Sequence, residues 1–330
     1  MKIEELRGLF PSLERVTYLN TATSAPASLP VLEAMRRVQD EWASGEFSWQ
    51  AWEDEAEATR ELFGGLVGGE AEHVALLASV AEAAATVAAS LEPGKVVVGS
   101  LEFQSNLLPW LALERRGFEV VQVPPTDGVV RTEALVNAID ERTTLVAVSE
   151  VQSSNGFRVR LDDILGASRS SGARLFLDAI QSLGALRYVP GADYVAAHAY
   201  KWLLGPRGAT WLWISPDRLE ELQPLAPSWK TVPEPYADYY GGPVELPMHA
   251  RRVDLPLAWQ VWPAAHAGLR LVAGLDPAEV EKHCLDLAGE FREEPPAAGS
   301  GSFPRTSRAR SRRCRCQIPP RSRRDSSTGK

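Results

Sequence analysis

Short apolar runs recur through the middle of the chain, and each has about the length of a buried strand. Most are continuous rather than alternating, which is typical of strands that helices cover on both faces. Helical stretches separate them, so the pattern predicts an α/β fold with a mostly parallel mixed sheet of about seven strands. The predicted strands are residues 74–77, 96–98, 120–123, 145–149, 175–177, 194–197 and 209–214.

Apolar residues at helical spacing predict the longer helices at the two ends of the sequence. These helices are residues 31–42, 51–66, 257–272 and 277–292. The glycine cluster at residues 64–69 ends a helix rather than following a strand, so it predicts a turn and not a dinucleotide-binding loop. Residues 224–256 are rich in proline and aromatic residues and predict a long ordered loop.

Charge divides the chain into two unlike parts. The net charge of the whole chain at pH 7 is −8. Residues 291–330 carry a net charge of +8, which leaves a net charge of −16 on residues 1–290. An acidic body does not favour nucleic acid as a partner, and no apolar run reaches the length of a membrane span. No signal peptide is evident, so a cytoplasmic location is the default expectation. The Arg-rich tail, residues 295–330, is predicted to be disordered because it has almost no aliphatic residues.

Metal or disulfide chemistry is not indicated. Cys284, Cys314 and Cys316 are too few for a disulfide framework. Cys314 and Cys316 form a Cys-Arg-Cys step without a nearby partner pair that would complete a tetrahedral metal site. We therefore expect no metal.

Ligands of open α/β sheets bind beyond the carboxyl ends of the strands, so the residues just after each run are the candidates. Asp178 directly follows a buried run, and a buried acid needs a partner such as an aromatic N–H⁺. Lys201 lies among Tyr200, Trp202 and other apolar residues. Such a lysine either extends its amine to solvent along an apolar surface or forms a Schiff base with an aldehyde cofactor.

Other strand ends offer weaker candidates, each with a plain structural alternative. Ser79 and Glu82 have the spacing of a capping box, and the same helix start would also suit a phosphate. Phe103 is either a core residue or a ring that stacks on a flat ligand. Gln152 lies in a loop whose polar residues need no function.

Five ordered segments resemble the class V aminotransferase fold, the group of pyridoxal phosphate (PLP) enzymes that includes cysteine desulfurases, kynureninases and isopenicillin N epimerase-like proteins. The segments are YLNTATSAP, EFQSNLLPW, VQSSNGFRVRLDDI, LDAIQSLGAL and ADYVAAHAYKWLLGPRG. The resemblance covers roughly residues 15–290. It implies a PLP-dependent transferase fold of type I.

The resemblance also implies roles for individual residues. Lys201 would form the Schiff base with PLP and move protons at the substrate Cα, and Asp178 would keep the pyridine nitrogen protonated. Phe103 would stack on the ring, and Gln181, with Gln152 less securely aligned, would contact the ring hydroxyl. The phosphate would be held by Ser79, Val80, Ala81, His198 and Tyr200, and substrate by Asn20 and Thr21.

The chain departs from the family pattern at several points. Ala81 stands where a threonine is common, and Val253-Asp254-Leu255-Pro256 replaces a Gly-Thr segment that reaches the partner subunit's phosphate in many relatives. The basic tail replaces the small C-terminal domain that supplies an arginine for the substrate carboxylate. Cys314 and Cys316 lack the context of a desulfurase cysteine, which disfavours persulfide chemistry.

These observations predict a PLP enzyme that acts on an amino acid, with transamination as the leading outcome. The alternatives are C–S lyase, desulfurase-like or epimerase activity, and a non-catalytic PLP-binding protein without a complete C-terminal domain. A homodimer is expected by family analogy. The predicted organisation is an N-terminal arm and substrate-side loop (1–30), a large PLP-binding domain (31–256), the start of a small domain (257–294) and the tail (295–330).

Overall fold

The computed structural model describes residues 1–237, 239–243 and 245–293. The tail that the sequence predicts to be disordered lies outside the described residues. Within them, none of the helices is both long and apolar enough to cross a lipid bilayer. The helices are α1 Ile3–Gly8, α2 Leu29–Ser44, α3 Trp49–Leu66, α4 Val80–Ala89, α5 Leu108–Leu111, α6 Thr132–Ala138, α7 Leu161–Ser171, α8 Trp262–Ala273 and α9 Pro277–Glu293.

The predicted sheet is confirmed. Its seven strands lie in the order β1-β7-β6-β5-β4-β2-β3, and all pairings are parallel except the two that involve β7. Six strands therefore run in one direction, and their carboxyl ends meet at one edge. The strands are β1 Val74–Leu77, β2 Lys95–Gly99, β3 Glu119–Val123, β4 Thr143–Ser149, β5 Arg174–Asp178, β6 Tyr194–His198 and β7 Thr210–Ile214.

Apolar side chains on both faces of the sheet explain why the runs are continuous. On one face, Trp211 of β7 stacks on Phe63 of α3 at 5.4 Å between ring centroids and meets Trp262 of α8 edge-on at 5.8 Å. On the other face, Trp110 of α5 packs against Phe176 of β5 at 5.1 Å. Each face thus forms its own buried cluster beneath helices.

The helix predicted from residue 257 begins later, at Trp262. Pro263 explains the difference, because a proline inside a helix clashes with the carbonyl four residues earlier and is tolerated in the first turn. Residues before it form only a short 3₁₀ turn, Trp259–Val261. Helix α8 packs against α2 and α3, while the domain boundary at residue 256/257 stays a prediction.

A buried ion network anchors the loop of residues 224–256 to α3. Lys230 pairs with Glu53 and lies 3.0 Å from Glu57, and Arg60 lies 2.5 Å from Asp254. Asp254 also accepts the N–H of Leu76 at 2.8 Å, on the open edge of β1. The network therefore covers an edge strand that would otherwise be free to pair with another chain.

Candidate active site

Side chains of the predicted site lie together at the carboxyl edge of the sheet. Asp178 ends β5 and His198 ends β6, while Ser79 follows β1 and Phe103 follows β2. Thr210 at the start of β7 pairs with both Leu77 and His198. The register therefore brings the α4 end of the site next to His198.

Asp178 is a buried carboxyl with an unusual proton affinity. It is 2% exposed, and its Oδ1 accepts the N–H of Ile180 at 3.0 Å. Burial raises its pKa to about 7, nearby Glu102 adds to the rise, and the charge of Lys201 opposes it. A carboxyl in this position favours a cationic partner, because a positive charge beside it would offset the cost of its burial.

Glu102 is a residue of the site to which the sequence reasoning gave no role. Its carboxylate accepts the N–H of Ser149 at 2.8 Å and an amide hydrogen of Asn106 at 3.0 Å, and Asn106 in turn accepts the indole N–H of Trp110 at 3.1 Å. Burial raises its pKa. The signal in the sequence was a lone carboxylate three residues after the end of β2. Glu102 fixes the segment that carries Phe103 through its bonds with Ser149 and Asn106.

Lys201 is held in a tight turn after β6. It is 7% exposed, and its Nζ lies 6.0 Å from the centroid of Phe103 and 5.6 Å from that of Tyr200. Burial lowers its pKa, and the charge of Asp178 opposes this change. A lysine with a lowered pKa has more of the neutral amine that attacks a carbonyl.

Close packing fixes the backbone of this turn. Leu204 donates its N–H to the Lys201 carbonyl at 3.2 Å, and Gly205 donates to Ala199 at 2.9 Å. A Cβ on Gly205 would lie 2.9 Å from that of Ala199 and 3.2 Å from the Cα of Ala265. Only glycine fits there, so the position of Lys201 is coupled to the packing of α8.

Phe103 is not a core residue, so that alternative from the sequence is wrong. The side chain is 57% exposed, although it follows a fully buried strand. Its ring lies beside the Lys201 amine. An exposed aromatic face next to a reactive amine can cover a flat ring.

His198 is neutral and has a defined tautomer. Its Nε2 accepts the N–H of Gly208 at 2.9 Å, so the proton of the neutral ring is on Nδ1. Burial lowers its pKa to about 3, and the charges of Arg207 and Lys201 contribute. His198 therefore offers an N–H donor rather than a positive charge.

Ser79 caps α4, as the sequence predicted. Its hydroxyl accepts the N–H of Glu82 at 3.2 Å, but the Glu82 carboxylate accepts from Ala78 at 2.8 Å rather than from Ser79. Neither bond uses the N–H groups of Val80 and Ala81, which begin the helix. A helix start with such donors suits a phosphate.

The two predicted glutamines have different surroundings. Both ends of the Gln152 amide bond the backbone of Val130, at 3.1 and 2.6 Å. Gln181 donates to the Ala22 carbonyl at 3.0 Å and to the Ser153 hydroxyl at 3.2 Å. Ser153, not Gln152, is thus the residue of that loop that contacts Gln181.

The N-terminal arm closes one side of the site. Ala22 accepts from Gln181, and Ala25 donates its N–H to the Tyr200 carbonyl at 2.8 Å. Asn20 and Thr21 precede these contacts, and the side chain of Asn20 is exposed. The structure therefore brings the predicted substrate-side loop next to Gln181 and Tyr200, while the roles of Asn20 and Thr21 stay predictions.

These groups fit PLP by their chemistry. Asp178 suits a protonated ring nitrogen, Lys201 an aldehyde, and the exposed face of Phe103 a flat ring. His198 and the start of α4 supply neutral donors for a phosphate. In addition, Thr210, at the same edge, has a buried hydroxyl without a hydrogen-bond partner among the described residues.

Comparisons with known proteins agree with this fit. A probable cysteine desulfurase of Methanothermobacter thermautotrophicus is 33% identical over 253 residues, which are 73% of this chain and 63% of the relative. The uncharacterized aminotransferase YcbU of Bacillus subtilis is 31% identical over 68% of this chain and 62% of its own length. Isopenicillin N epimerase of Streptomyces clavuligerus is 30% identical over 70% and 61%. The chain thus spans less than two thirds of each of these relatives.

Solved structures show the same fold. The cysteine desulfurase CsdA of Escherichia coli superposes with a TM-score of 0.73 at 21% identity, over 89% of this chain and 78% of CsdA. The family model of class-V aminotransferases matches residues 17–252. The chain therefore belongs to the class-V aminotransferase family and has the fold of type I that PLP-dependent enzymes share.

Proposed function

We propose that this protein is a PLP-dependent enzyme that removes the Cα proton of an amino acid. One observation carries the proposal: a buried acid, Asp178, and a buried amine, Lys201, lie at the same sheet edge, and the exposed ring of Phe103 lies 6.0 Å from the amine. Burial disfavours the charged form of both groups, and neighbouring groups perturbed in this way are typical of functional sites.

When bound, PLP supplies an electron sink for negative charge that develops at the substrate Cα. Asp178 holds a proton on the ring nitrogen, and Phe103 covers the ring. Lys201 would hold the aldehyde end of the cofactor, and its amine would move the proton at the substrate Cα.

The remaining contacts follow from the same placement. His198, Tyr200 and the Ser79–Ala81 turn would hold the phosphate, and Gln181, which donates to Ser153, would contact the ring hydroxyl. Asn20 and Thr21 line the substrate side.

The relatives change the expected outcome of the reaction. Transamination is the leading expectation from the sequence, but relatives of this chain are named probable cysteine desulfurases. We therefore propose C–S cleavage of a cysteine-type substrate, with transamination as the second candidate because YcbU is named an aminotransferase.

Cys284 does not favour a persulfide route. Among the described residues it is the free cysteine, and it lines a groove between α1 and α9 with Tyr18 and Leu287. Burial raises the pKa of its thiol, whereas a sulfur acceptor needs a thiolate. Direct β-elimination, which releases sulfide, pyruvate and ammonia from cysteine, requires no enzyme cysteine.

A panel of amino acids tests this function. With PLP-loaded protein, cysteine or cystine is expected to give a sulfur product together with pyruvate and ammonia in equal amounts. Alanine with 2-oxoglutarate as the amino-group acceptor should give neither pyruvate nor glutamate. Exchange without sulfur release would favour transamination instead, and racemised product alone would favour epimerisation. No product from any member would contradict a catalytic role.

We also propose a homodimer. Tyr236 is 43% exposed and Tyr239 is 47% exposed, and both belong to a linked aromatic surface with Trp49 and Trp229. An aromatic surface of this kind marks an interaction site. Light scattering after gel filtration is expected to give the mass of two chains, and Tyr239→Glu to weaken the dimer. A monomer at micromolar concentration would contradict the proposal.

A further inference from the structure

Arg207 lies beside His198 and Tyr200, two of the residues expected to hold the phosphate, but it has no assigned role. Its guanidinium carbon is 5.4 Å from the centroid of Tyr200, and the Tyr200 ring meets His198 edge-on at 4.4 Å. The next residue, Gly208, donates to His198. Arg207 is thus linked to His198 through two neighbours, Tyr200 and Gly208.

The expected phosphate site, formed by Ser79, Val80, Ala81, His198 and Tyr200, has no full positive charge of its own. His198 is neutral, and Ala81 and Val80 offer backbone N–H groups only. Lys201 is committed to the aldehyde. A phosphate ester, in contrast, carries about −1.5 to −2 charge near neutral pH.

Arg207 is available to supply the missing charge. In the part of the chain that the structure describes, it forms no ion pair with a carboxylate, whereas Arg60, Arg158, Arg174 and Arg218 each do. Its side chain is exposed and rests on an aromatic face. The positive charge of Arg207 acts on the phosphate site, because it helps to lower the pKa of His198.

We propose that Arg207 binds the phosphate of PLP and makes the site selective for the phosphorylated cofactor, an inference that rests on the proposed cofactor-binding site. A guanidinium offers two parallel N–H donors to phosphate oxygens. It replaces the hydroxyl contact that Ala81 does not provide.

Titration of PLP and of unphosphorylated pyridoxal into the cofactor-free full-length protein tests this role. Arg207→Gln is expected to raise the Kd for PLP by about 10- to 100-fold, the usual range for a charge-assisted hydrogen bond. The Kd for pyridoxal should change less than about twofold, because it has no phosphate to lose a contact. The Kd of Arg207→Lys for PLP should lie between those of the parent and Arg207→Gln, because lysine keeps the positive charge but lacks the two parallel N–H donors of a guanidinium.

Arg115→Gln is the matched control. Arg115 is an exposed arginine in the turn before β3, which enters the sheet at the edge opposite the site. The Arg115→Gln variant loses one positive charge, as Arg207→Gln does, but it should bind PLP as tightly as the parent. Thermal melting followed by circular dichroism checks that every variant is folded.

Two results would overturn the role of Arg207. In one, PLP and pyridoxal lose affinity equally in Arg207→Gln; in the other, PLP affinity is unchanged while the parent binds normally. If the parent itself does not bind PLP, the cofactor site as proposed fails, and Arg207 with it. The parent titration therefore separates the two failures.

Discussion

Replacing Lys201 by alanine is expected to lower turnover by at least about 10³-fold, since a positioned proton-transfer group alone contributes 10²–10⁴-fold. The variant also loses the amine that bonds the aldehyde. It should still bind PLP reversibly, because the Ser79 turn and His198 do not depend on the lysine. Covalent retention and catalysis should fail together, while reversible binding remains.

Absorbance spectra of the parent and Lys201→Ala, recorded with PLP before and after dialysis, measure this loss. Lys282→Ala is the control, because Lys282 is an exposed lysine on α9 paired with Asp286. The control should retain its PLP band. An unchanged band after dialysis of Lys201→Ala would show that another residue bonds the cofactor.

Asp178→Asn is expected to have opposite effects on activity and on stability. Activity should fall by about 10²–10³-fold, the range for loss of one electrostatic stabilising group, because a neutral amide cannot hold the ring proton by charge. The stability of the cofactor-free protein should instead rise above neutral pH. The amide keeps the acceptor for the N–H of Ile180 and removes the cost of burying an ionised acid.

The sign follows from the pKa of Asp178, which burial raises from 3.8 to about 7. A raised carboxyl pKa means that the folded state binds the proton more tightly than the unfolded state. The resulting stability is full below about pH 4 and is lost as the pH rises through about 7. The advantage of Asp178→Asn over the parent should therefore grow by on the order of 2 to 3 kcal/mol between pH 5 and pH 8.

Urea denaturation at pH 5 and pH 8 measures that difference. Asp140→Asn is the control, because its hydrogen bond with Lys95 lowers the pKa of Asp140 to about 2. That carboxyl is ionised at both pH values, so its replacement should have the same effect at each. An equal effect of Asp178→Asn at both pH values would contradict a raised pKa at this site.

Much of the fold was predictable because its strands are buried on both faces. Continuous apolar runs such as residues 145–149 need no alternation to be recognised, and all seven predicted strands formed. The start of α8 was not predicted, because apolar spacing continues past the point where Pro263 stops the helix. Local backbone chemistry decided that boundary, and spacing alone does not report it.

The site residues that the sequence predicted most directly are those at the carboxyl ends of strands. Asp178 and His198 end their strands, so the parallel sheet brings them together without further information. Glu102 was given no role because its contact with Ser149 joins residues 47 positions apart, which the sequence does not show. Whether Gln152 or Ser153 contacts Gln181 depends on the backbone path of their loop, and residue types do not reveal that path.

The most direct test of PLP attachment is to locate the bond itself. The full-length protein is incubated with PLP, reduced with borohydride, digested, and its peptides are analysed by mass spectrometry. Lys201 is expected to be the modified residue, and Lys201→Ala to carry no label. Modification of a different lysine, such as Lys95 or Lys230, or of none, would contradict the central role of Lys201.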